Sequence, residues 1–420
     1  MQFADRLQGV EASAIRELFK LLGKPGIVSF AGGFPDPTLF DAEGIAQASA
    51  AVLGHDAGAV LQYGATEGYP PLRTAIADML RSQGAEVDAA DLLVTTGSQQ
   101  AIELLAQTLI SPGDCVLVES PTFLAAIQCF RLHGANVVGV PIDGYGVDVD
   151  RLAALLATHR PKLVYLIPSF GNPSGATLTL ERRLRVLELA ARTQTIVVED
   201  DPYSALYFDA PPPASLLALS AQVPGSREWL AYCGSFSKVL SPGLRVGWLV
   251  APREWLAKAT MCKQFGDVHT SNLSQAICAQ YLAMGRLPSQ LERMRSSYAQ
   301  RAYAMADALQ TRCGAELSFL APRGGLFFWV RCAGAMQGRA QELVRAALDH
   351  GVAMVPGAPF FANDPDPSAL RLSFATSDTA TIQEGVRRLA AGLHALRDAD
   401  CPTDATNAAD SAHGAASSPA

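Results

Sequence analysis

Lysine is scarce in this chain: six of its 33 basic residues are lysine, at positions 20, 24, 162, 238, 258 and 263. Acid outweighs base by 40 to 33, and a net charge of -7 leaves no electrostatic footprint for nucleic acid. No apolar run approaches the length of a membrane span. The opening MQFADRLQGVEASAIREL is of mixed charge and lacks the basic-then-apolar order of a signal peptide. The eight cysteines are scattered, without a CxxC pair or a Cys/His ligand spacing, and the seven histidines are equally dispersed. This excludes a disulfide framework and reads as the free thiols of a cytoplasmic protein, with no metal expected. There are no internal repeats.

What is present is ample material for a large core: 420 residues, 49% hydrophobic and 17% charged. From Leu92 onward, short apolar runs (LLVTTG, CVLVES, NVVGVPI, KLVYLIPS, TIVVEDD, WLAYCGS, VGWLVA) alternate with stretches of helical periodicity. Near-continuous Val, Leu and Ile strands separated by helices predict an α/β fold with a mostly parallel, doubly wound sheet covered on both faces. After Pro252 helices dominate to about Cys313. Then come the separate strand candidates GGLFFWV, VAMVPG and LRLSFA, which suggest a smaller α+β domain. The stretch from Asp398 to Ala420 is rich in Ala, Ser, Asp and Pro without periodicity and reads as a disordered tail.

Ligands of open parallel sheets bind at the carboxyl ends of the strands, and four polar clusters fall there. In TTGSQQA, Ser98 and Gln99 open a helix whose free N–H groups suit a phosphate, although Ser98 also reads as an ordinary cap. In SFGNPSG, Asn172 presents an amide at a strand mouth, within what is also a strong turn signal. In VVEDDPYSALYF, Glu199, Asp200 and Asp201 follow an apolar strand, where three acids need a cationic partner. In GSFSKVLSPGLRVGW, Lys238 lies between two strand candidates. A lysine desolvated there becomes an amine nucleophile, and Ser235, Ser237 and Arg245 could hold a dianion beside it. A primary amine, a phosphate cradle, an acid and an aromatic form the set that pyridoxal 5'-phosphate requires.

The order of these segments resembles the class I aminotransferases of fold type I, in the group with 2-aminoadipate, kynurenine and aromatic aminotransferases. Matching segments are SFAGGFPDPTLF, LQYGATEGYPPLR, TTGSQQA, ESPTF, PSFGNPSG, VEDDPYSALYF, GSFSKVLSPGLRVGW, APRGGLFFWV, GVAMVPGAPFFA and LRLSFA, so the likeness runs from about Ser13 to Leu396. The resemblance implies pyridoxal 5'-phosphate as cofactor, with Lys238 as the imine-forming and proton-shuttling amine. It implies Asp200 as the carboxylate on the pyridinium nitrogen, because Tyr203 completes an Asp-x-x-Tyr pattern. Tyr203 and Asn172 would hold the ring hydroxyl oxygen, and Ser98, Gln99, Ser235 and Arg245 the phosphate. Phe123 would stack on the ring, in a place often taken by Tyr. Tyr63 would reach the phosphate of a neighbouring subunit, implying a homodimer with shared active sites. Arg371 would grip the substrate carboxylate, Gly32 and Gly33 would lie near the substrate, and Arg16 on a mobile N-terminal helix could meet a distal carboxylate. The turn reads GNPSG where QNPTG is more usual, which leaves Asn172 in place.

The expected division is 1–50 as an arm packing with the small domain, 51–290 as the large cofactor-binding domain, 291–397 as the small C-terminal domain, and 398–420 as tail. The expected reaction is ping-pong transfer of the amino group from an L-amino acid (2-aminoadipate, aromatic or leucine-like) to a 2-oxo acid such as 2-oxoglutarate, through aldimine and ketimine intermediates. A lyase or decarboxylase would carry similar residues. A non-catalytic cofactor-sensing domain is a further alternative, against which stands the lack of room before Ser13 for a helix-turn-helix.

Overall fold

The computed structural model describes residues 3–7 and 26–400. After the two-residue strand β1 (Val28–Ser29), the alternating middle of the chain supplies β2 (Leu92–Thr95), β3 (Cys115–Ser120), β4 (Asn136–Asp143), β5 (Gly146–Val147), β6 (Leu163–Leu166), β7 (Ile196–Asp201), β8 (Leu230–Ser235) and β9 (Gly247–Val250). These eight form one sheet in the order β2-β9-β8-β7-β6-β3-β4-β5. The run β4-β3-β6-β7-β8 is parallel throughout. Its strands β6 and β8 are buried at every position, as expected where helices cover both faces.

Two strands depart from the parallel order: the two-residue β5, which pairs antiparallel with β4, and β9. β9 runs antiparallel to both β8 and β2. Parallel pairing needs a crossover of about a dozen residues or more, usually a helix, and the connection 236–246 is too short for one. The chain therefore turns straight back at the carboxyl end of β8, and the whole connection stays on the edge where the other strand-end clusters lie.

The smaller unit holds an antiparallel sheet in the order β10-β11-β14-β13, from β10 (Leu317–Phe319), β11 (Phe327–Cys332), β13 (Val355–Pro356) and β14 (Ala369–Ser373). Strand β12 (Val352–Ala353) pairs instead with β1, so the start of the described chain is built into this unit. The helix Ala42–Leu61 goes elsewhere and packs on the helix Asn272–Ala283 of the larger unit. The described residues from 26 to 50 are thus shared between the two units. Asp41 secures the crossing, accepting from Arg286 at 2.7 Å and from the Tyr281 hydroxyl at 3.0 Å. The helix Leu287–Cys313 spans the expected boundary at 290/291, and the helix Thr379–Asp400 extends past the expected start of the tail at Asp398.

Candidate active site

A cavity of about 390 Å³ opens where the carboxyl ends of the parallel strands meet the smaller unit. Its wall includes Gly33, Ser98, Gln99, Phe123, Asn172, Asp200, Tyr203, Ser235, Lys238, Arg245 and Arg371. Residues far apart in sequence converge because most end or follow strands of the eight-stranded sheet, while Gly33 follows β1 and Arg371 lies in β14.

At one end the groups suit an anion. The helix Ser98–Leu109 starts two residues after β2; the Gln100 N–H is taken by the Gly97 carbonyl at 3.1 Å, which leaves the N–H groups of Ser98 and Gln99 at its open end. Gly97 precedes it at φ +81°, and a Cβ there would come within 2.5 Å of Arg245 Nη2. Arg245 itself donates from Nη2 to the Thr96 carbonyl at 3.0 Å and from Nη1 to Ser237 Oγ at 3.4 Å. Ser235 Oγ donates to Ser237 Oγ at 2.9 Å and accepts from the Ser237 N–H at 3.0 Å. Two hydroxyls, a guanidinium and a helix start therefore share one corner.

Beside that corner, Lys238 Nζ donates to the Gly33 carbonyl at 3.0 Å. Burial, with Arg371 and then Arg245 nearby, pulls its pKa down to about 8 from the ordinary 10.5. Among the described residues no carboxylate pairs with this amine. A fair fraction is therefore neutral, and nucleophilic, near physiological pH.

The three consecutive acids that end β7 have separate fates, because successive side chains of a strand point to opposite faces. Glu199 accepts from the backbone of Leu216 and Leu217 at 2.9 and 3.0 Å and lies 3.8 Å from Arg183. Asp201 accepts from the Tyr232 hydroxyl at 3.1 Å and the Ser204 N–H at 3.0 Å. Asp200 faces the cavity at 2% exposure. Its Oδ2 accepts from the Tyr165 hydroxyl at 2.6 Å, while its buried Oδ1 has no partner. Burial raises its pKa to about 7, opposed by the Tyr165 hydrogen bond and reinforced by Asp201. An orphaned, buried carboxylate oxygen aimed into a cavity calls for a hydrogen-bond donor on a ligand, and the protonated ring nitrogen implied by the resemblance is one.

Arg371 forms the wall contributed by the smaller unit. Its Nη1 donates to Asn172 Oδ1 at 3.1 Å and its Nη2 to the Ala31 carbonyl at 2.8 Å, while Nε is buried without a partner. Its guanidinium carbon lies 4.5 Å from the Phe327 ring centroid and 4.9 Å from that of Phe360. Burial lowers its pKa to about 10, so it stays charged at neutral pH. Three unused N–H bonds on such a fork fit a carboxylate. Tyr203, edge-on to Phe327, stands between Asp200 and Arg371, and burial holds its phenol protonated.

Tyr63, expected to serve the phosphate of a neighbouring subunit, does not line this chain's own cavity. It is 79% exposed and stacks edge-on with His269 on the outside. Arg16 lies outside the described residues. Conversely, Phe34, Leu124, Ala125, Gln128, Phe327 and Phe360 line the cavity without having been singled out, although GGFPDP, GGLFF and GAPFF carry three of them. Tyr165 carried no signal, being one apolar-run residue in KLVYLIPS. The dispersal of Cys and His in sequence is also not kept in space. Cys129 and His133, four apart, meet Glu103, with ligand-type atoms within 4.8 Å of one another. Glu103 accepts from Cys129 Sγ at 3.0 Å and pairs with His133 Nε2 at 2.9 Å, so its carboxylate is satisfied, and the trio lies outside the cavity.

The cavity residues fit pyridoxal 5'-phosphate: an anion corner, an uncharged-capable amine, an unpaired carboxylate oxygen and an aromatic wall stand in one enclosure. Comparison with known proteins agrees. Residues 35–389 match the family model described as aminotransferase class I and II. A 2-aminoadipate transaminase of Thermus thermophilus is 44% identical over 92% of this chain and 95% of its own. An aromatic-amino-acid aminotransferase of Thermococcus litoralis is 36% identical over 92% and 93%. The crystal structure of an alpha-aminoadipate aminotransferase of Thermus thermophilus, complexed with N-(5'-phosphopyridoxyl)-L-leucine, superposes with a TM-score of 0.87 at 42% identity, over 94% of this chain and 98% of that one. These relatives favour amino-group transfer over lyase chemistry on the same fold. The chain belongs to the class I and II aminotransferases, and it is a pyridoxal-phosphate-dependent aminotransferase of fold type I.

Proposed function

We propose that this aminotransferase moves the amino group of an L-amino acid with a 2-aminoadipate, aromatic or leucine-like side chain to 2-oxoglutarate. The reading rests on one observation. Lys238 Nζ, the orphaned Asp200 Oδ1 and the orphaned Arg371 Nε stand on three walls of a single cavity whose apolar lining includes Phe34, Leu124, Phe327 and Phe360. Such a lining accepts bulky apolar or ring side chains, and Gln128 supplies one polar amide for a longer, polar one. The relatives named for 2-aminoadipate and aromatic substrates support the same range.

The bound cofactor supplies an aldehyde for amine exchange and a ring that withdraws electron density from the substrate Cα. Everything else falls to the chain's own side chains. Ser98, Gln99, Ser235 and Arg245 would anchor the phosphate. Phe123 would pack against the ring, and Asn172 and Tyr203 would hydrogen-bond its hydroxyl oxygen. Asp200 would hold a proton on the ring nitrogen, which would keep the ring electron-poor. Arg371 takes the substrate α-carboxylate on two N–H bonds and so orients the Cα–H bond towards Lys238. Lys238 Nζ then removes the Cα proton. Gly33, whose carbonyl accepts from Nζ, parks the amine within reach, and a side chain at 33 would press within 2.9 Å of Phe327. Arg16 is assigned to the distal carboxylate of a 2-aminoadipate-like substrate.

The assembly is read as a homodimer with shared sites. Support comes from Tyr63, which is exposed, as is the nearby Leu61, and which meets His269 edge-on next to the exposed Val268. Cytoplasmic residence is proposed from the free state of all seven described cysteines. Among the described residues no helix is long and apolar enough to cross a membrane. The test is a panel of amino acids with 2-oxoglutarate, scored for glutamate. 2-Aminoadipate, aromatic amino acids and leucine should give it, and aspartate or alanine should give far less. Release of an amine or ammonia in place of glutamate would refute the assignment.

A further inference from the structure

Asp200 has one hydrogen-bond donor among the described residues, the phenol of Tyr165, and that tyrosine does not line the cavity. Its position is fixed on every side. Its backbone lies within β6, in register with Val198 of β7 and Val118 of β3. Its ring is fully buried and sits edge-on to Phe130 at 5.7 Å between centroids. A rigid donor 2.6 Å from Oδ2 leaves the carboxylate of Asp200 one orientation, with Oδ1 turned to the cavity and unpartnered. Without it the carboxylate could rotate about χ2, since its neighbours Glu119 and Cys233 offer no hydrogen bond to it.

We propose that Tyr165 is a positioning residue for the cofactor nitrogen, pinning Asp200 through Oδ2 so that Oδ1 meets the ring N–H as an ionised carboxylate. The proposal rests on the reading of Asp200 as the ring-nitrogen partner. Tyr165 acts in two ways. It fixes direction, and as a neutral donor it disperses the negative charge, so that the shared proton stays on the ring nitrogen and not on the acid. The surroundings are otherwise hostile to an ionised Asp200. Asp201 and the buried Glu119 add like charge nearby, and Arg183 is committed to Glu199 and to backbone carbonyls.

The test compares three holoenzymes. Tyr165→Phe removes one oxygen, and Tyr232→Phe removes the matching phenol that holds Asp201 in place of Asp200. Asp200→Asn reports on the underlying assignment. The readouts are the cofactor dissociation constant by dialysis, the pH midpoint of the bound cofactor's absorbance change, kcat and KM, and the melting temperature of each apoprotein. Tyr165→Phe should weaken cofactor binding about tenfold or more, the loss typical of a hydrogen bond to a charged group. It should raise the absorbance midpoint, because a ring that has lost its positive charge lets the adjacent nitrogen keep its proton longer. It should lower kcat with little change in KM, and Tyr232→Phe should do none of these. A 3-fluorotyrosine placed at 165, a stronger donor of nearly equal volume, should move the midpoint the opposite way. Equal effects from Tyr165→Phe and Tyr232→Phe, or an unmoved midpoint in Tyr165→Phe and in the fluorinated protein, overturn the proposal. If Asp200→Asn itself leaves affinity and midpoint unchanged, it is the reading of Asp200 that fails.

Discussion

Replacing Arg371 by lysine keeps the charge and removes the fork, which makes it the sharpest single probe of substrate binding. Arginine offers five N–H bonds, and two are spent inside the protein, on Asn172 Oδ1 at 3.1 Å and the Ala31 carbonyl at 2.8 Å. Three remain, including the orphaned Nε, enough for a two-point grip on a carboxylate. A lysine has three donors, so after Asn172 and Ala31 are satisfied one is left for substrate. One charge-assisted hydrogen bond is lost, about 1.5–3 kcal/mol. At about 1.4 kcal/mol per tenfold, kcat/KM should fall roughly 10- to 100-fold. The rings of Phe327 and Phe360 flank a flat guanidinium and fit a tetrahedral ammonium less well, which adds misplacement to the loss. Steady-state kinetics on an L-amino acid and on the corresponding amine without its α-carboxylate separate the causes. The variant should lose only on the amino acid, so that the two substrates come closer in kcat/KM. An equal fall on both, or no fall on the amino acid, would refute the two-point grip.

Other expectations follow from single side chains. Gly97→Ala places a methyl group against Arg245 in a left-handed backbone, so binding of pyridoxal 5'-phosphate should weaken about tenfold while that of unphosphorylated pyridoxal is unchanged, as read by dialysis. The rate at which apoprotein captures the cofactor aldehyde should climb with pH through about 8 and then level, because the neutral Lys238 amine is the nucleophile; stopped-flow absorbance that keeps rising to the ordinary lysine value of 10.5 would contradict the buried setting. Asp200 titrates near 7 when folded against 3.8 when free, so its contribution to apoprotein stability is full below 3.8 and is lost as pH rises through about 7. Asp200→Asn apoprotein should therefore melt with a shallower decline between those values, and an unchanged slope would count against the raised pKa.

The core of the site was readable because its chemistry sits at strand ends, and strands are announced by apolar runs that stop at polar residues. Lys238, Asn172, Asp200 and Ser98 each follow such a run. What sequence could not resolve was which of three adjacent acids faces the ligand by geometry alone; the strand's alternation settles it, pairing Glu199 with Arg183 and Asp201 with Tyr232. Arg183, in a helix of ordinary amphipathic spacing, gave no hint that it would be buried as the counter-charge. The antiparallel course of β9 was hidden for a different reason. A hydrophobic strand of four residues looks the same in either direction, and only the length of its connection tells them apart. Tyr165 was invisible because a tyrosine in an apolar run reads as core, which it also is.

That short return between β8 and β9 sets a fixed tether. The amine at 238 and the guanidinium at 245 hang from one loop clamped at both ends by ladder pairing, Ser235 to Gly247 at its neck. Their separation is therefore set by chain length rather than by side-chain choice. Lengthening the loop by even one residue would slide the arginine off the helix start at Ser98 while leaving the lysine where it is. Point substitutions around the cavity would retune which amino acid enters, whereas an insertion in this loop would shift the phosphate anchor itself.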